Sequence, residues 1–378
     1  MTHFDVAIIG GGLAGCSAAF HLRRRGASVI LLERGRCGAQ ASGVNYGGVR
    51  QQGRHPAELP LSRRSRAIWA ELPALIGTDG EFVATGHVKL ARTEADMAEL
   101  TAYRDTAAAV GLHLELIDRQ ALRRRYPFLG EGLAGGSLCA EDGQANPRIV
   151  APAFARAARA LGVDVRESTE VIAARRDGRG FEIEVAPQAT VRAATLINVA
   201  GAWGASIASW FGDRVEEDVI APNMCVTEPV PQFMGPNFGM CGGGIYIRQA
   251  AHGSIVFGAG MGVADRTRRR ARPLPEITAE AARLAVALVP SLREVLLVRT
   301  WTGIEGHMPD GLPVFGPSLT TPGLFHAFGF SGHGFQLGPA VGAVLSELAL
   351  DGRSETPIDA LGLDRFHPDA GMASTSIH

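Results

Sequence analysis

The order of apolar and polar positions divides the chain into strand-like runs and helical segments. Near the amino terminus, apolar runs over Val6–Ile9 and Val29–Leu32 flank a segment of small residues that suits a helix. Buried parallel strands read as continuous apolar runs, so this pattern predicts a strand–helix–strand unit. Apolar positions at helical spacing predict further helices over 61–76, 94–110, 147–161 and 277–289, and a last one that opens at Pro339.

The remaining apolar runs are short and predict strands over 82–92, 112–118, 163–166, 171–174, 181–185, 195–199 and 324–329. Residues 245–249 (IYIRQ) alternate apolar and polar, and 254–258 (SIVFG) is the expected hairpin partner, which is typical of an antiparallel sheet. The glycine-rich residues 34–54 are predicted to lack regular structure.

These elements predict an α/β fold in which a Rossmann-type nucleotide-binding lobe is interleaved with an α+β lobe built on an antiparallel sheet. We assign residues 1–80, 145–212 and 300–365 to the first lobe and residues 81–144 and 213–299 to the second. Residues 366–378 lack periodicity and are predicted to be a mobile tail.

The turn after the first strand carries a dinucleotide-binding pattern. Gly10 permits the tight turn, Gly12 lets backbone N–H groups approach a pyrophosphate, and Gly15 allows close packing of helix and strand. Glu33 ends the second strand, where a carboxylate accepts hydrogen bonds from the hydroxyls of an adenosine ribose. The neighbouring contact positions are Leu13, Ala14 and Arg34.

Composition restricts the class of protein. The 378 residues carry a formal net charge of −1, which gives no reason to expect a nucleic-acid partner. The five cysteines show neither CxxC spacing nor a disulfide framework, and no cluster has metal-ligand spacing. The chain has no apolar run of about 20 residues and begins almost directly with its first strand. We therefore expect a cytoplasmic protein, with any membrane association peripheral and at the inner face.

Three further motifs occur in order along the chain: ASGVNYGGVR (41–50), INVAGAWG (197–204) and GFSGHGFQLGPAVG (329–342). With the glycine turn, they resemble the glycine oxidase, sarcosine oxidase and D-amino-acid oxidase group of FAD-dependent enzymes. The nearest subgroup comprises the flavin subunits of heteromeric sarcosine oxidases and of proline or hydroxyproline dehydrogenases. The resemblance implies an FAD lobe, a substrate lobe, and oxidation of a C–N bond beside a carboxylate.

The resemblance also implies cofactor contacts. It places the pyrophosphate or the flavin beside Ser42, Gly43 and Gly48, the adenine beside the backbone of Val171, and the cofactor near Gly201. The GFSGHGF segment leads into a helix, whose free N–H groups would stabilise negative charge on a reduced flavin. The candidates in this segment are Gly332, Gly334, Phe335 and Gln336, with a purely structural turn as the alternative.

An amino-acid carboxylate requires a cation when it leaves water. Arg50 is the first candidate and Arg248 the second, each with a structural ion pair as the alternative. On a strand, Tyr246 and Arg248 point to the same face and could share a pocket. His333 either lines that pocket or packs against flavin and backbone; Tyr246 could equally be a core aromatic. No general base is predicted, because the flavin itself can accept a hydride from a neutral amine.

Two departures from the family pattern matter. Covalent members use a cysteine near 301–309, and this chain has none there, so FAD is expected to bind non-covalently. Oxygen-using members carry a lysine near the second hairpin strand, which reads SIVFGAG here, and Gln336 stands where they have a second carboxylate-binding lysine. This favours an amino-acid dehydrogenase that passes electrons to a carrier, a quinone or a partner subunit.

Two alternatives remain, namely an electron-transfer subunit of a hetero-oligomer with little activity alone and, with less support, a flavin monooxygenase. Basic residues at 266–272 motivate the subunit hypothesis, although they are also typical of solvated surface. A homo-oligomer is equally compatible with the sequence.

Overall fold

The computed structural model describes residues 3–178 and 180–367. Within them the α-helices are α1 (Leu13–Arg24), α2 (Ala41–Val44), α3 (Leu59–Ile76), α4 (Glu94–Ala108), α5 (Arg119–Arg125), α6 (Pro147–Ala160), α7 (Gly204–Ala208), α8 (Pro275–Leu288) and α9 (Gly334–Asp351). The strands of the first half are β1 (His3–Ile9), β2 (Val29–Leu32), β3 (Gly48–Val49), β4 (His87–Ala91), β5 (Glu115–Asp118), β6 (Gly135–Cys139), β7 (Gly143–Gln144), β8 (Asp164–Arg166), β9 (Val171–Arg176), β10 (Phe181–Val185) and β11 (Ala189–Asn198). Those of the second half are β12 (Asp218–Ile220), β13 (Pro222–Pro229), β14 (Asn237–Met240), β15 (Tyr246–Gln249), β16 (Ser254–Met261), β17 (Val263–Asp265), β18 (Arg270–Arg272), β19 (Leu297–Trp301), β20 (Glu305–His307), β21 (Val314–Pro317) and β22 (Leu324–Phe328).

The first large sheet has the strand order β21-β22-β11-β1-β2-β8, and β10 and β9 continue from β11 as antiparallel strands. The central strands are parallel, with Ile9 opposite both Leu32 of β2 and Asn198 of β11. Parallel neighbours end at the same edge of a sheet. The turns after β1, β2 and β11 therefore converge at one edge, where an open α/β sheet binds its ligand.

Side chains of β1 alternate between two apolar cores, as a strand covered on both faces requires. Val6 and Ile8 pack with helices α1, α6 and α9, whereas Ala7 and Ile9 pack against the β9–β10 side. Helices α1 and α9 lie in close contact, and Ser17 Oγ donates a hydrogen bond to the Pro339 carbonyl at 2.9 Å. The first helix is therefore held by the last one.

The second large sheet has the order β19-β13-β16-β15-β14-β4-β6-β5 and is antiparallel except for the β14–β4 pair. The predicted hairpin is confirmed, since Ile247 pairs with Phe257 in antiparallel register. Helices α5 and α8 cover this sheet through a separate apolar core. Three two-stranded pairs, β12-β20, β17-β18 and β3-β7, complete the fold.

The predicted fold class is confirmed, but several predicted elements are wrong in detail. Helix α9 begins at Gly334 rather than at Pro339, which lies inside it. Residues 34–54 contain α2 and β3 and are not wholly irregular, and helix α5 and strand β6 were not predicted. The first sheet draws its strands from 3–9, 29–32, 164–198 and 314–328 and the second from 87–139 and 222–301; the lobe boundaries themselves stay a prediction.

Two further points concern the chain end and the membrane. The predicted tail starts within a short 3₁₀ turn, Leu363–Phe366, and from residue 368 onward it lies outside the described residues. None of the helices in residues 3–178 and 180–367 is both long and apolar enough to cross a bilayer.

Candidate active site

A cavity of about 890 Å³ lies between the two sheets and reaches the converging turns of the first one. Its wall contains residues from the glycine turn, the 40–54 segment, strands β4, β9, β15 and β20, and the loop before α9. Segments that are far apart in the sequence therefore form the wall of this cavity.

The glycine turn is sterically required. A Cβ atom at Gly10, whose φ is +113°, would come within 2.4 Å of the Val199 carbonyl oxygen. A Cβ at Gly15 would lie 2.0 Å from the Gly10 carbonyl oxygen, so the close packing predicted for this glycine is observed. The first N–H groups of a helix have no intrahelical partners. Ser42 Oγ accepts one of them, from Leu13, at 2.9 Å.

Glu33 anchors the end of β2 in the cavity wall. Its Oε2 accepts the Gly11 N–H at 2.7 Å, and its Oε1 accepts the Gly35 N–H at 2.7 Å. Next to it, the guanidinium of Arg34 lies 3.6 Å from the centre of the Trp203 ring. The carboxylate is therefore fixed in orientation beside the glycine turn, and the stacked pair closes the adjoining wall.

The other end of the cavity is cationic. Arg50 follows β3 and is positioned by Asp142, whose carboxylate accepts the N–H groups of Gln51 at 2.8 Å and Gln52 at 3.1 Å. A Cβ at Gly53 would lie 2.9 Å from Arg50 Nη1 and 3.3 Å from Lys89 Nζ, so both cations face the same point.

Arg54 adds a third cation to this end of the cavity. It is 3% exposed, and its Nη1 has no hydrogen-bond partner among the described residues. Burial, and then the positive charge of Arg50, lower the pKa of Arg54 to about 9. It still carries its charge at neutral pH. A buried cation with a free donor in a cavity wall suits an anionic ligand.

The sequence profile of the DAO family, described as FAD dependent oxidoreductase, matches residues 5–348. The chain belongs to the DAO family of FAD-dependent oxidoreductases. Within curated proteins it is similar to glycine oxidase of Geobacillus kaustophilus (strain HTA426), 30% identical over 371 residues that cover 95% of this chain and 96% of that protein. It is also 28% identical to sarcosine oxidase subunit beta of Rhizobium meliloti (strain 1021), over 96% of this chain and 88% of that protein.

Two solved structures share the fold of this chain. Glycine oxidase from Geobacillus kaustophilus superposes with a TM-score of 0.88 at 27% identity, covering 97% of this chain and 99% of that chain. L-proline dehydrogenase from P. horikoshii superposes with a TM-score of 0.90 at 24% identity, over 96% and 98% of the two chains, which shows a shared fold. The resemblance seen in the sequence is confirmed.

The residues present fit the FAD that the DAO family uses. A Cβ at Gly201, whose φ is +56°, would meet no atom within 4 Å, so this glycine opens directly onto the cavity. The cavity wall joins the fixed carboxylate of Glu33, the glycine turn and the N-terminal turn of α9. These features suit a ribose, a pyrophosphate and a flavin.

Most predicted cofactor positions lie in the cavity wall: Gly10, Gly12, Leu13, Ala14, Glu33, Arg34, Ser42, Gly48, Val171, Gly201, Gly332, Gly334 and Phe335. Gly15 and Gly43 lie behind the wall and act through packing, since a Cβ at Gly43 would come within 2.1 Å of the Gly38 carbonyl oxygen. Contact of any of these residues with FAD stays a prediction.

Three predicted site residues point elsewhere. Gln336 is buried, and its amide exchanges hydrogen bonds with Ser62, at 3.0 and 2.9 Å, so it does not face the cavity. Arg248 is 9% exposed and donates to the Tyr46 carbonyl at 2.8 Å and to Gln144 Oε1 at 2.7 Å. His333 turns its Nδ1 toward Glu58. Arg248 and His333 were predicted to line the substrate pocket, and their side chains instead make structural contacts.

Of the predicted substrate residues, Arg50 and Tyr246 line the cavity. The Tyr246 ring lies 4.7 Å from that of Tyr46, and the Arg248 guanidinium lies over the Tyr46 ring, 5.3 Å from its centre. The two strand residues do share a face, as predicted, and both contact Tyr46.

Three further cavity residues were not predicted from the sequence, namely Arg54, Lys89 and Glu305. Lys89 carried a readable signal, because it is the only lysine among 37 basic residues of the chain. Glu305 was visible as a lone acid in the glycine-containing segment GIEG (303–306). No group of three or more His, Cys, Asp or Glu residues within the described part of the chain could hold a metal ion.

Proposed function

We propose that this protein catalyses the FAD-dependent oxidative deamination of a D-amino acid or a secondary, N-alkyl amino acid, and that it passes the electrons to an acceptor other than O₂. The observation that carries the proposal is the group of Arg50, Arg54 and Lys89 in the same cavity as the cofactor positions. The relatives named as glycine oxidase and sarcosine oxidase subunit beta support an amino acid as the substrate.

The cationic group would bind the substrate carboxylate. A guanidinium can donate two parallel hydrogen bonds to a carboxylate, and an ammonium adds a point charge beside it. Arg54 is held in place because Arg50 supplies its carbonyl oxygen to the Arg54 Nε at 3.1 Å. An amino acid bound in this way has its amine-bearing carbon directed along the cavity toward Tyr246.

FAD, when bound, would supply the acceptor for the hydride, with its electron pair, that leaves the amine-bearing carbon. The protein contributes position and enclosure. Tyr46 and Tyr246 form an apolar wall, and the Tyr246 hydroxyl contacts Met224 Sδ at 3.3 Å. Exclusion of water from this wall strengthens the pairing between carboxylate and cations. Cysteine is absent from the described cavity wall, which supports non-covalent binding of the cofactor.

The choice of acceptor rests on the sequence of β16, which has no lysine. Lys89 of β4 nevertheless lines the cavity, so the cavity does contain a lysine. The rate of flavin reoxidation by O₂, compared with that by an artificial dye, therefore tests this part of the proposal. Reoxidation that is as fast with air as with dye would make the protein an oxidase.

A second candidate function is that of the flavin-bearing subunit in a hetero-oligomeric dehydrogenase. Strand β19 lies at the edge of the second sheet, and Leu296, just before it, and Val298 within it are each 66% exposed. Exposed apolar residues at a sheet edge suit a partner subunit. The relative named as a sarcosine oxidase subunit also supports this role.

One experiment separates these candidates. The FAD-loaded protein is mixed anaerobically with a panel of D- and N-alkyl amino acids, and flavin absorbance is followed. Bleaching by one of them supports the dehydrogenase. Bleaching only by NADPH would identify a monooxygenase, and bleaching only in the presence of a partner protein would identify the subunit. A protein that cannot be reconstituted with FAD would contradict all three.

A further inference from the structure

Carboxylates in the cavity wall differ in what surrounds them. Four are present: Glu33, Glu99, Glu170 and Glu305. Glu33 accepts two backbone N–H groups, Glu170 forms an ion pair with Arg269, and Glu99 is exposed. Glu305 has neither a hydrogen-bond partner nor an ion-pair partner among the described residues, and its half-buried side chain faces the cavity. Of the four carboxylates, Glu305 is therefore the one that is available to bind a ligand in the cavity.

Glu305 lies between the two functional parts of the cavity. It opens strand β20 and pairs in register with Ile220 of β12. A Cβ at Gly332, in the loop before α9, would lie 3.8 Å from Glu305 Oε2. Tyr246 is also near, since its pKa is raised by burial and then by the negative charge of Glu305. The carboxylate is therefore placed where the predicted cofactor loop meets the predicted substrate strand.

Within residues 3–178 and 180–367, no positive charge lowers the pKa of Glu305. The titratable groups on the packed elements are Tyr246 of β15, Asp218 of β12, His307 on the same strand and Glu217, whose Oε1 faces Gly306. Burial alone raises the pKa of Glu305 to about 7. A carboxyl group in this state can hold or release a proton near neutral pH, which suits proton transfer.

We propose that Glu305 binds the ammonium group of the substrate and accepts one proton from it. The inference rests on the function proposed above. The N–H bond breaks, its electron pair stays on nitrogen, and the proton forms an O–H bond with the carboxylate. The amine thereby becomes neutral, and its lone pair can form the C=N bond as the hydride leaves the adjacent carbon. Glu305 is thus a catalytic residue of the deamination.

The first test compares the FAD-loaded wild type with Glu305→Gln, which keeps the size of the side chain. The amino acid used is the one that bleaches the wild type fastest in the anaerobic panel. We expect the limiting rate of bleaching at pH 7 to fall about 100-fold, the lower range for loss of a general base. In the variant the rate should rise steadily toward the pKa of the free amine, whereas the wild type should level off above about pH 7.

Asp218→Asn is the matched control, because Asp218 is an exposed acid on the strand paired with β20 and lies outside the cavity wall. Its pH profile should match that of the wild type. A Glu305→Gln rate within threefold of the wild type at pH 7, or an unchanged pH profile, would overturn the inference while amino-acid oxidation still stands. If no amino acid bleaches the wild type, the proposed function itself fails.

A second test measures binding without turnover. Trimethylglycine carries a permanent cation and cannot be oxidised through a neutral amine, and 3,3-dimethylbutanoate is the isostere that keeps the carboxylate but lacks the cation. Calorimetry should show that the wild type binds trimethylglycine at least tenfold more tightly than the isostere, and that Glu305→Gln loses this preference while its affinity for the isostere is unchanged. The absence of a preference in the wild type, or its survival in the variant, would contradict binding of the ammonium group by Glu305.

Discussion

Nδ1 of His333 lies 2.9 Å from Oε1 of Glu58 and joins the start of α9 to the turn before α3. Burial, followed by the charge of Arg54, lowers the pKa of His333 to about 4. The neutral imidazole therefore donates to the carboxylate. Burial acts to raise the pKa of Glu58, but the hydrogen bond from His333 and nearby positive charge outweigh it, and the net shift is downward.

This pair makes the folded state sensitive to acid. Between pH 6.5 and about 4 the unfolded chain binds a proton at His333 that the folded chain does not, so stability falls as pH falls. We expect His333→Asn to flatten the dependence of unfolding free energy on pH in this window, by at most about 1.4 kcal/mol per pH unit. Urea unfolding at several pH values measures it. Exposed His113→Asn serves as the control, and an unaltered slope in His333→Asn would refute the argument.

Glu33→Gln should weaken FAD binding. The neutral amide cannot accept the Gly11 and Gly35 N–H groups as a carboxylate does, and hydrogen bonds to a charged group contribute about 1.5–3 kcal/mol. We therefore expect the Kd for FAD to rise about 10- to 100-fold in a titration of the apoprotein. Glu280→Gln, on the surface of α8, should leave the Kd unchanged. Equal affinity of Glu33→Gln and the wild type would remove Glu33 from the cofactor site.

Arg50→Ala and Arg248→Ala should have different consequences. Arg50 lines the cavity, so its loss should raise the substrate KM by at least about tenfold while FAD content is retained. Arg248 is buried against Tyr46 and Gln144, so its loss leaves buried acceptors unpaired and should lower Tm. Steady-state kinetics and thermal unfolding of both variants provide the measurements. An unchanged KM in Arg50→Ala would exclude it from carboxylate binding.

The single lysine permits a chemical test of the cavity. An amine-reactive acylating reagent should modify Lys89 as the one lysine of the chain, and peptide mass spectrometry would locate the adduct. A carboxylate ligand bound at Arg50 and Lys89 should slow this modification, since both cations face the same point near Gly53. Methoxyacetate is the probe, and methoxyethanol, which lacks the charge, is its control. Modification at the same rate with and without methoxyacetate would place the anion site elsewhere.

Gly342→Ala should destabilise the protein through helix packing. A Cβ at Gly342 would lie 2.4 Å from both the backbone nitrogen of Ala18 and the Oγ of Ser17, where neither backbone can shift freely. Overpacking of this kind costs about 1–3 kcal/mol. Gly235→Ala is the control, because a Cβ there would meet no atom within 4 Å. Thermal unfolding that gives the same Tm for both variants would contradict the close contact between α1 and α9.

The parts of the site that depend on local chain geometry could be predicted. The glycine turn and Glu33 follow from one short strand–helix–strand unit, whose spacing fixes which backbone groups face the ligand. Arg50 and Tyr246 could be predicted as pocket residues because each belongs to a short sequence motif. The alternation of β15 correctly placed Tyr246 and Arg248 on one face.

Predictions failed where distant packing decides the direction of a side chain. Gln336 turns toward Ser62 and His333 toward Glu58, both on or beside a helix more than 250 positions earlier in the chain. Pro339 was wrongly taken as the start of α9, which begins at Gly334. Gly338, inside this helix, serves close packing, since a Cβ there would lie 2.7 Å from Leu13. Glu305 was missed because its lack of partners is a property of the folded cavity alone.

The contact between the first and last helices links cofactor binding to completion of the fold. Strand β11 pairs with β1 beside the glycine turn, and α9, which ends at Asp351, packs against α1. Pairings between such distant segments form late, because long stretches of chain must close first. We therefore expect a nascent chain to expose its glycine turn before it can retain a dinucleotide, and to bind FAD stably only after α9 has been synthesised.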